Sequence, residues 1–595
     1  MEPMSRSTRN PLPSTLILLA IGMAPFAAAQ DLDLYRPQRA TPQPFRVELP
    51  EQTAPEASGS TEVLVERLDA LIVLDDTEKV DPEDAFDDAT GLIRDFQAQD
   101  SLVFSPAFET ITARYLGQPI TLKRLNQLSR DIILLYRRSG QPVVDVVIPE
   151  QKITAGTVQL VVTEARVGAV RITTEGWHWP LDFRRCDRLQ RDVRCTRRGT
   201  RLTESRLESD LRRLSEFPWR SADLDLRPGS ERGTTDVDFQ VRDVFPMRAY
   251  AGYDDTGVQS LLLDRVLTGF TMGNVFGHDG ILSYQGTADG AFDNLEVHSL
   301  FYDVAVSDRW DFETYASWAG VEPIVAGGID QQGESWQAGF TFEYNLVRNR
   351  CRHRQIEFGF DFKQTNTNVG FGGVQVFDSA ADLVTLRLGY ERFDRYRGDE
   401  YFLLRSTLFI GPGPQFSSGN TTEAFDTVRA GTSPDFVYGN TFAERLYQLP
   451  KNWQLTGRLT SQWASERLLW SETLGFGGYN SVRGYDQRTL NGDCGWIANL
   501  ELGPDPIEFG CQHRRSRLRL YGFLDMGDAY ILDALPGEDE QEFLISSGIG
   551  MRYSVGNRWS IRCDYGVGFV DVPDVLSSST NRFHIGVIGF YGPTP

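Results

Sequence analysis

Residues 453–464 read WQLTGRLTSQWA, and apolar and polar side chains alternate along this segment. Successive side chains of a β-strand point to opposite sides, so the apolar positions from Trp453 to Trp463 share one face. The other face runs from Gln454 to Gln462 and includes an arginine. Such a charge is costly in the dry core of a soluble sandwich. One face suits lipid and the other suits a wet lumen, which predicts a membrane β-barrel strand.

The same alternation recurs through residues 247–595, for example in 356–363, 384–391 and 545–553. We count about sixteen segments when each strand has the length of about 10 residues expected of outer-membrane barrels. An even number lets an antiparallel barrel close, which removes unpaired edges that lipid cannot satisfy. A soluble β-propeller or β-helix is the alternative, but no blade motif or short fixed repeat occurs. The pattern therefore predicts a transmembrane barrel of 16 antiparallel strands.

Residues 61–246 have the pattern of two small α/β units, 61–166 and 167–246. In the first, Ser105 and Pro106 mark the start of a helix, and Thr121 caps a second helix that Gly140 ends. The first unit is predicted to open with one strand over 63–74, and the helix of the second unit to begin near Thr203. Both end in two strands, which favours a tandem repeat, although two unrelated α/β folds would give a similar pattern.

The first sixty residues are predicted to lie outside the folded units. Arg6 and Arg9 precede the short apolar run 16–28, and Ala27–Ala29 fits a small-residue cleavage site. This is the layout of a secretory signal peptide over residues 1–29, because the run is too short to span a bilayer. Residues 30–60 are rich in Pro, Gln, Ala, Glu and Ser, which predicts a linker or tether.

Two motifs in the barrel half are specific. Residues 477–485 read GGYNSVRGY, between the strands 453–464 and 495–502, and residues 523–527 read FLDMG on the next strand. With the two α/β units, these motifs resemble the two-partner secretion transporters (TpsB proteins), which share a superfamily with outer-membrane assembly insertases. The α/β units resemble the POTRA domains of that family. The segments 116–121 and 135–140 of the first unit resemble POTRA segments of TpsB proteins.

The resemblance implies that the loop 465–492 folds back into the barrel, so that Arg483 meets Asp525. The expected lock comprises Val482, Arg483, Gly484, Tyr485, Phe523, Asp525 and Gly527. It also implies an outer-membrane location with periplasmic POTRA domains and export of an unfolded TpsA-like partner polypeptide. Further expected partners are outer-membrane lipid and the barrel assembly machinery that inserts this chain. An assembly factor that inserts other barrels, and a diffusion porin with a periplasmic adaptor, are the alternatives.

The composition limits other functions. The formal net charge is −22, so nucleic acid is not an expected partner. No phosphate-binding loop or His-Glu-x-x-His pair occurs, so we expect no enzyme activity, no catalytic residues, no cofactor and no metal site. Cys186 and Cys195 have a spacing that suits a disulfide closing a small surface loop of the second unit.

Overall fold

The chain forms two compact units, which meet between Phe245 and Pro246. Among the described residues, no helix is long and apolar enough to cross a membrane. The expected signal peptide and all but the last two residues of the expected tether lie outside the described residues. The computed structural model describes residues 59–593, except for 83–88, 154–155, 178–184, 259–260, 308, 325–328, 350, 372–373, 397, 511–514 and 573–580.

The N-terminal unit begins with an α/β repeat built on a mixed four-stranded sheet. Its elements are β1 (Val63–Val65), β2 (Ala70–Leu74), β3 (Gly91–Asp95), α1 (Pro106–Thr112), β4 (Ile120–Thr121), α2 (Leu122–Arg138), β5 (Val144–Val147) and β6 (Thr157–Glu164). The sheet order is β3–β2–β6–β5, with β2 parallel to both of its neighbours. Leu125, Leu128 and Ile132 form one face of α2 and are buried against the sheet, because apolar residues spaced by three and four share a helix face.

Local capping decides where the two helices of this repeat begin. The hydroxyl of Ser105 accepts a hydrogen bond from the backbone N–H of Phe108 at 3.2 Å, and Thr121 accepts one from Arg124 at 3.2 Å. Both predicted helix starts are therefore confirmed. The prediction of one strand over 63–74 was wrong: β1 pairs with β4, whereas β2 enters the four-stranded sheet. The strand β3 was not predicted.

A second repeat follows with a three-stranded sheet. Its elements are β7 (Arg166–Gly176), α3 (Arg185–Asp192), α4 (Glu204–Leu214), β8 (Arg220–Pro228) and β9 (Thr234–Asp243). The sheet order is β7–β9–β8, with β7 parallel and β8 antiparallel to β9. Leu207, Leu211 and Leu214 of α4 are buried in the same cluster as Val237 and Phe239 of β9. The short polar helix α3 was not predicted, because it buries only Leu189.

Cys186 and Cys195 are both free thiols in the structure, so the expected disulfide is not formed. Asp210 of α4 accepts hydrogen bonds from the backbone N–H of Cys195 at 3.0 Å and of Thr196 at 2.7 Å. The sulfur of Cys195 lies 3.7 Å from a guanidinium nitrogen of Arg213, also on α4. Cys195 is thus held against α4, whereas Cys186 is exposed on α3.

A charged junction joins the two repeats. Arg201 of the second repeat lies 2.8 Å from Asp100 and 3.1 Å from Glu164 of the first. Glu164 also accepts hydrogen bonds from Ser101 at 2.6 Å and from the hydroxyl of Tyr136 at 3.0 Å. The Arg201 hydrogen bond holds the pKa of Asp100 below its ordinary value. The repeats are therefore fixed to each other by side chains as well as by the chain itself.

The C-terminal unit is a closed antiparallel barrel. Counting β23 and β24 as one and leaving aside the loop hairpin β21–β22, it has sixteen strands, which confirms the predicted fold class. The elements are β10 (Met247–Asp254), β11 (Arg265–Gly273), β12 (Ile281–Asp289), β13 (Leu295–Ala305), β14 (Trp310–Val321), β15 (Ile329–Arg348), β16 (Arg352–Phe371), β17 (Val374–Arg395), β18 (Tyr401–Pro412), α5 (Thr422–Val428), β19 (Asp435–Leu449), β20 (Trp453–Ala464), β21 (Leu474–Phe476), β22 (Leu490–Gly492), β23 (Cys494–Pro504), β24 (Ile507–Phe509), β25 (Ser516–Tyr530), β26 (Gln541–Val555), β27 (Trp559–Gly568) and β28 (Asn581–Tyr591).

The barrel is apolar outside and polar inside. On β20, Trp453, Leu459 and Trp463 are exposed, whereas Gln454 and Gln462 are buried. This inverts the pattern of a soluble protein and fits a wall with lipid on one side and a polar lumen on the other.

The two rims of the barrel differ. We call the rim at which the chain enters β10 the entry rim; short turns connect the strands there. The opposite rim, called the far rim, carries the longer loops, including residues 413–434, 465–493 and 531–540.

Candidate functional site

The strand β25 presents a row of large side chains to the lumen. Tyr521, Phe523 and Asp525 are buried, while Leu520, which precedes them on the opposite parity, is 44% exposed on the outer face. Asp525 itself has no exposed surface. A carboxylate in such a position requires a partner, because an unpaired buried charge is strongly unfavourable.

That partner comes from the loop 465–493, which the structure places inside the barrel. The loop contains the hairpin of β21 and β22, whose Phe476 and Leu490 pack in a buried cluster with barrel residues such as Ile497. Gly477 and Gly478 follow β21 with φ of +99° and +94°, a backbone conformation that side chains disfavour. The turn they form directs the tip of the loop toward β25.

Arg483 makes a bidentate ion pair with Asp525. Its Nε and Nη2 lie 2.7 and 2.8 Å from the two carboxylate oxygens, and its backbone N–H donates to Oδ2 at 3.2 Å. Its Nη1 donates to Glu501 of β23 at 2.9 Å, and its guanidinium carbon lies 3.7 Å from the centroid of the Phe523 ring. Removing one member of such a buried pair costs about 3–5 kcal/mol, because the other charge is left buried without its partner.

The residues beside Arg483 fit closely against β26 and β27. The N–H of Gly484 donates to the hydroxyl of Ser546 at 3.1 Å, and a Cβ on Gly484 would lie 2.6 Å from the Cβ of Ser546 and 2.5 Å from the nitrogen of Gly568. The hydroxyl of Tyr485 lies 3.0 Å from the carbonyl of Val570. Glycine at 484 is therefore required by space rather than by backbone conformation.

The remaining motif residues, Val482 and Gly527, pack around the loop hairpin. Val482 is fully buried in the cluster that contains Phe476. A Cβ on Gly527 would lie 2.8 Å from the ring of Phe476, so the glycine of the strand motif leaves room for the loop hairpin. The structure thus brings together all seven residues of the expected lock.

Several residues of this site were not predicted. Asn499 donates to the carbonyl of Ser481 at 2.6 Å and to Asp525 at 2.8 Å, and Nε2 of His584 lies 3.0 Å from the carbonyl oxygen of Arg483. Asn499 and Glu501 follow the period-two pattern of β23, which places both in the lumen. That pattern identifies lumenal residues, but it does not select those that contact the loop.

A second ion pair fixes the end of the same loop at the far rim. Arg429, which follows α5, binds both carboxylate oxygens of Asp493 at 2.5 and 3.2 Å, and both side chains are buried. Asp493 also accepts hydrogen bonds from the backbone N–H groups of Leu468 and Leu532, each at 3.0 Å. One carboxylate therefore ties together three far-rim loops.

A third ion pair joins two of these loops near the surface. Arg467 lies 2.5 and 2.8 Å from the two carboxylate oxygens of Glu538. The Arg467 hydrogen bond lowers the pKa of Glu538 to about 2 from an ordinary value of 4.5. Glu538 also accepts the backbone N–H of Leu535 at 2.9 Å, so its charge orders the loop 531–540.

Comparison with known families matches residues 233–553, more than half of the chain, to the haemolysin secretion/activation protein ShlB/FhaC/HecB family. The chain belongs to this family. Residues 92–165 match the ShlB-type POTRA domain. The protein is thus an outer-membrane barrel transporter for protein secretion with its POTRA region in the periplasm, and the expected family, location and transport function are confirmed.

Individual relatives agree with this membership. The outer membrane transporter CdiB of Dickeya dadantii is 21% identical over 66% of this chain and 68% of its own length. The heme/hemopexin transporter protein HuxB of Haemophilus influenzae is 22% identical over the same shares. The solved structure of CdiB from Escherichia coli has a TM-score of 0.61 at 16% identity, covering 93% of this chain and 94% of that one, which shows a common fold.

Replacing Gly484 with alanine is expected to expel the tip of the loop. The new Cβ would overlap atoms of two paired strands, and such overpacking typically costs about 1–3 kcal/mol. Channel conductance in planar bilayers should therefore rise, and the unfolding temperature should fall. Gly522→Ala is the control, because its Cβ would have only one neighbour, at 3.8 Å. A Gly484→Ala protein that matches Gly522→Ala in both measurements would contradict this account.

Acid should loosen the far-rim loop 531–540. Because the folded pKa of Glu538 is lowered to about 2, its stabilising effect is complete above pH 4.5 and is lost as the pH falls toward 2. Hydrogen exchange of these amides, corrected for intrinsic rates, should show protection that is constant above pH 4.5 and declines below it. Glu538→Gln should have low protection that lacks this pH dependence. An unchanged profile in Glu538→Gln would exclude Glu538 as the responsible group.

Proposed function

We propose that this transporter binds an unfolded partner polypeptide in the periplasm and threads it through the barrel after the loop 465–493 has moved. The observation that carries this proposal is the buried Arg483–Asp525 pair, which holds the loop inside the lumen by side-chain contacts. A polypeptide that passes through this lumen requires the loop to shift. The motif residues around Arg483 are then parts of a movable lock.

The contacts of the carboxylates on the lumen wall favour release of Arg483. Each carboxylate near its guanidinium has another partner on the wall. Glu501 is also bound by Arg458 at 3.0 Å and Arg519 at 3.2 Å, and Asn499 donates to Asp525. Asp564 likewise pairs with Arg552 at 2.8 Å. Displacement of the loop therefore leaves Glu501 and Asp564 in ion pairs and Asp525 bound to the Asn499 amide, which lowers the cost of opening.

The N-terminal unit offers strand edges for capture of the partner. In the described part of the first repeat, β3 and β5 are the outer strands of the four-stranded sheet. Ile93 on β3 and Val147 on β5 are each 38% exposed. Strand addition uses backbone hydrogen bonds and so tolerates many sequences, which suits an unfolded substrate.

The proposed transport requires no chemical step by this chain. The direction of movement comes from folding of the partner outside the cell, since the periplasm provides no nucleotide. We propose a TpsA-like exported polypeptide as the substrate, in keeping with relatives that are described as transporters. The expected contacts with outer-membrane lipid and with the machinery that inserts this barrel belong to the same proposal.

Deletion of this chain should remove one large protein from the medium, as measured by mass spectrometry of the medium and the outer membrane. Other outer-membrane barrels should keep their levels. Restoring the deleted strain with Arg483→Ala should give an inserted barrel with reduced secretion, because the buried Asp525 loses its ion-pair partner and the loop is no longer held in a defined position.

Arg405→Ala is the matched control for that variant. Arg405 is a lumenal arginine paired with Glu391 at 2.5 Å on the neighbouring strand. Full secretion by an inserted Arg483→Ala barrel would refute the role of the loop. Broad loss of other barrels on deletion would instead assign the chain to barrel assembly.

A further inference from the structure

The outer face of β16 and β17 carries a cluster of arginines at the entry rim. Arg352 and Arg354 have the same parity as the exposed Phe358, so they point away from the lumen. By the same alternation, Arg392 and Asp394 of β17 lie on the face of the exposed Leu388 and Leu386. Three guanidinium groups and one carboxylate thus occupy a small part of the lipid-facing surface. We call these four residues the rim cluster.

The pairing of the strands sets like charges against each other in the rim cluster. Arg354 lies directly opposite Arg392, and Arg352 lies opposite Asp394. Like charges in directly opposed positions of an antiparallel pair are destabilising. The arrangement is therefore unfavourable unless anions offset the charges of the two arginines.

Asp394 is within ion-pair distance of all three arginines but offsets only one of their three charges. Its carboxylate lies 2.5 Å from Arg392, but 3.7 Å from Arg354 and 3.9 Å from Arg352. Among the described residues, Nε of Arg354 is a buried atom with no hydrogen-bond partner. Two positive charges remain in excess, and the side chains of Arg354 and Arg392 are 34% and 38% exposed, so they can bind a further anion.

The neighbours of the rim cluster mark the level of lipid headgroups. Ile356 and Tyr390 are the next pair on the lipid-facing side, one step from the cluster toward the membrane centre. Tyr344 of β15 lies opposite Ile356. Trp310 pairs with Tyr344, with ring centroids 4.9 Å apart. Tyrosine and tryptophan collect where the apolar band meets the headgroups. The rim cluster lies one outward position beyond this aromatic row, on the side that faces the periplasm.

We propose that the rim cluster binds the phosphate of an anionic glycerophospholipid of the periplasmic leaflet. Guanidinium groups form paired hydrogen bonds with phosphate oxygens, and a phosphate between Arg354 and Arg392 would turn their repulsion into two attractions. The acyl chains would then lie along the apolar band above the cluster. The lumenal Arg405 near the same rim is instead paired with Glu391.

Native mass spectrometry of the full chain tests this proposal. The protein is held in micelles that contain equal amounts of phosphatidylglycerol and phosphatidylcholine, and the retained lipids are counted. The wild type should retain phosphatidylglycerol selectively, and Arg354→Gln/Arg392→Gln should lower that selectivity at least tenfold. The substitutions remove opposed like charges but also the Arg392–Asp394 ion pair, so folding of the variant is checked by its unfolding temperature.

Two further variants make the test specific. Arg405→Gln removes a lumenal charge near the same rim and should leave the lipid selectivity unchanged. Asp394→Asn removes the one carboxylate of the cluster and should raise retention of phosphatidylglycerol several-fold. Equal retention of both lipids by the wild type, or unchanged selectivity in the double variant, would overturn the proposal. Displacement of the lipid by millimolar inorganic phosphate would also overturn it, because the site would then be a free-anion site.

Discussion

The ion pair between Arg483 and Asp525 is the interaction on which the rest of the barrel interior depends. It joins a loop that enters from the far rim to a strand in the middle of the wall, with both side chains almost fully buried. Buried charges are tolerated only when they are paired and hydrogen-bonded. Glu501, Asn499 and Phe523 complete that environment, and their positions on β23 and β25 follow from the strand register. The register of the barrel strands thus determines the positions of the residues that surround this pair.

The same site contains the features that a transporter needs in order to open. Glu501 and Asp564 keep their ion pairs when Arg483 is absent, and Asp525 keeps the Asn499 amide, whereas the loop loses its strongest contact. A separate pair, Arg429 with Asp493, fixes the end of the loop near the far rim. Opening therefore does not require both contacts to break at once, because the tip can move while its attachment remains. In the proposed mechanism, closure and transport are two states of one loop with a fixed base.

Much of this structure could be predicted from the sequence, but only where a pattern repeats or a motif is specific. The alternation along segments such as 453–464 predicted the barrel. The resemblance carried by the two motifs predicted the contact between Arg483 and Asp525. The pair Arg429–Asp493 could not be predicted, since it joins separate loops and neither residue lies in a periodic segment. The short elements β3, α3 and α5 bury too few apolar residues to produce a clear pattern. The free thiols of Cys186 and Cys195 show that spacing alone does not decide a disulfide.

The most direct test is the distance between the tip of the loop and the barrel wall. Spin labels at Asn480 and Asn557, both exposed, would be placed in a full-length protein whose six native cysteines are replaced, and read by double electron–electron resonance. The wild-type lock should give one narrow distance distribution, and Asp525→Asn should broaden it. Asp361→Asn is the control, because Asp361 pairs with Arg387 on the neighbouring strand. A distribution that stays narrow in Asp525→Asn would contradict the claim that this ion pair holds the loop.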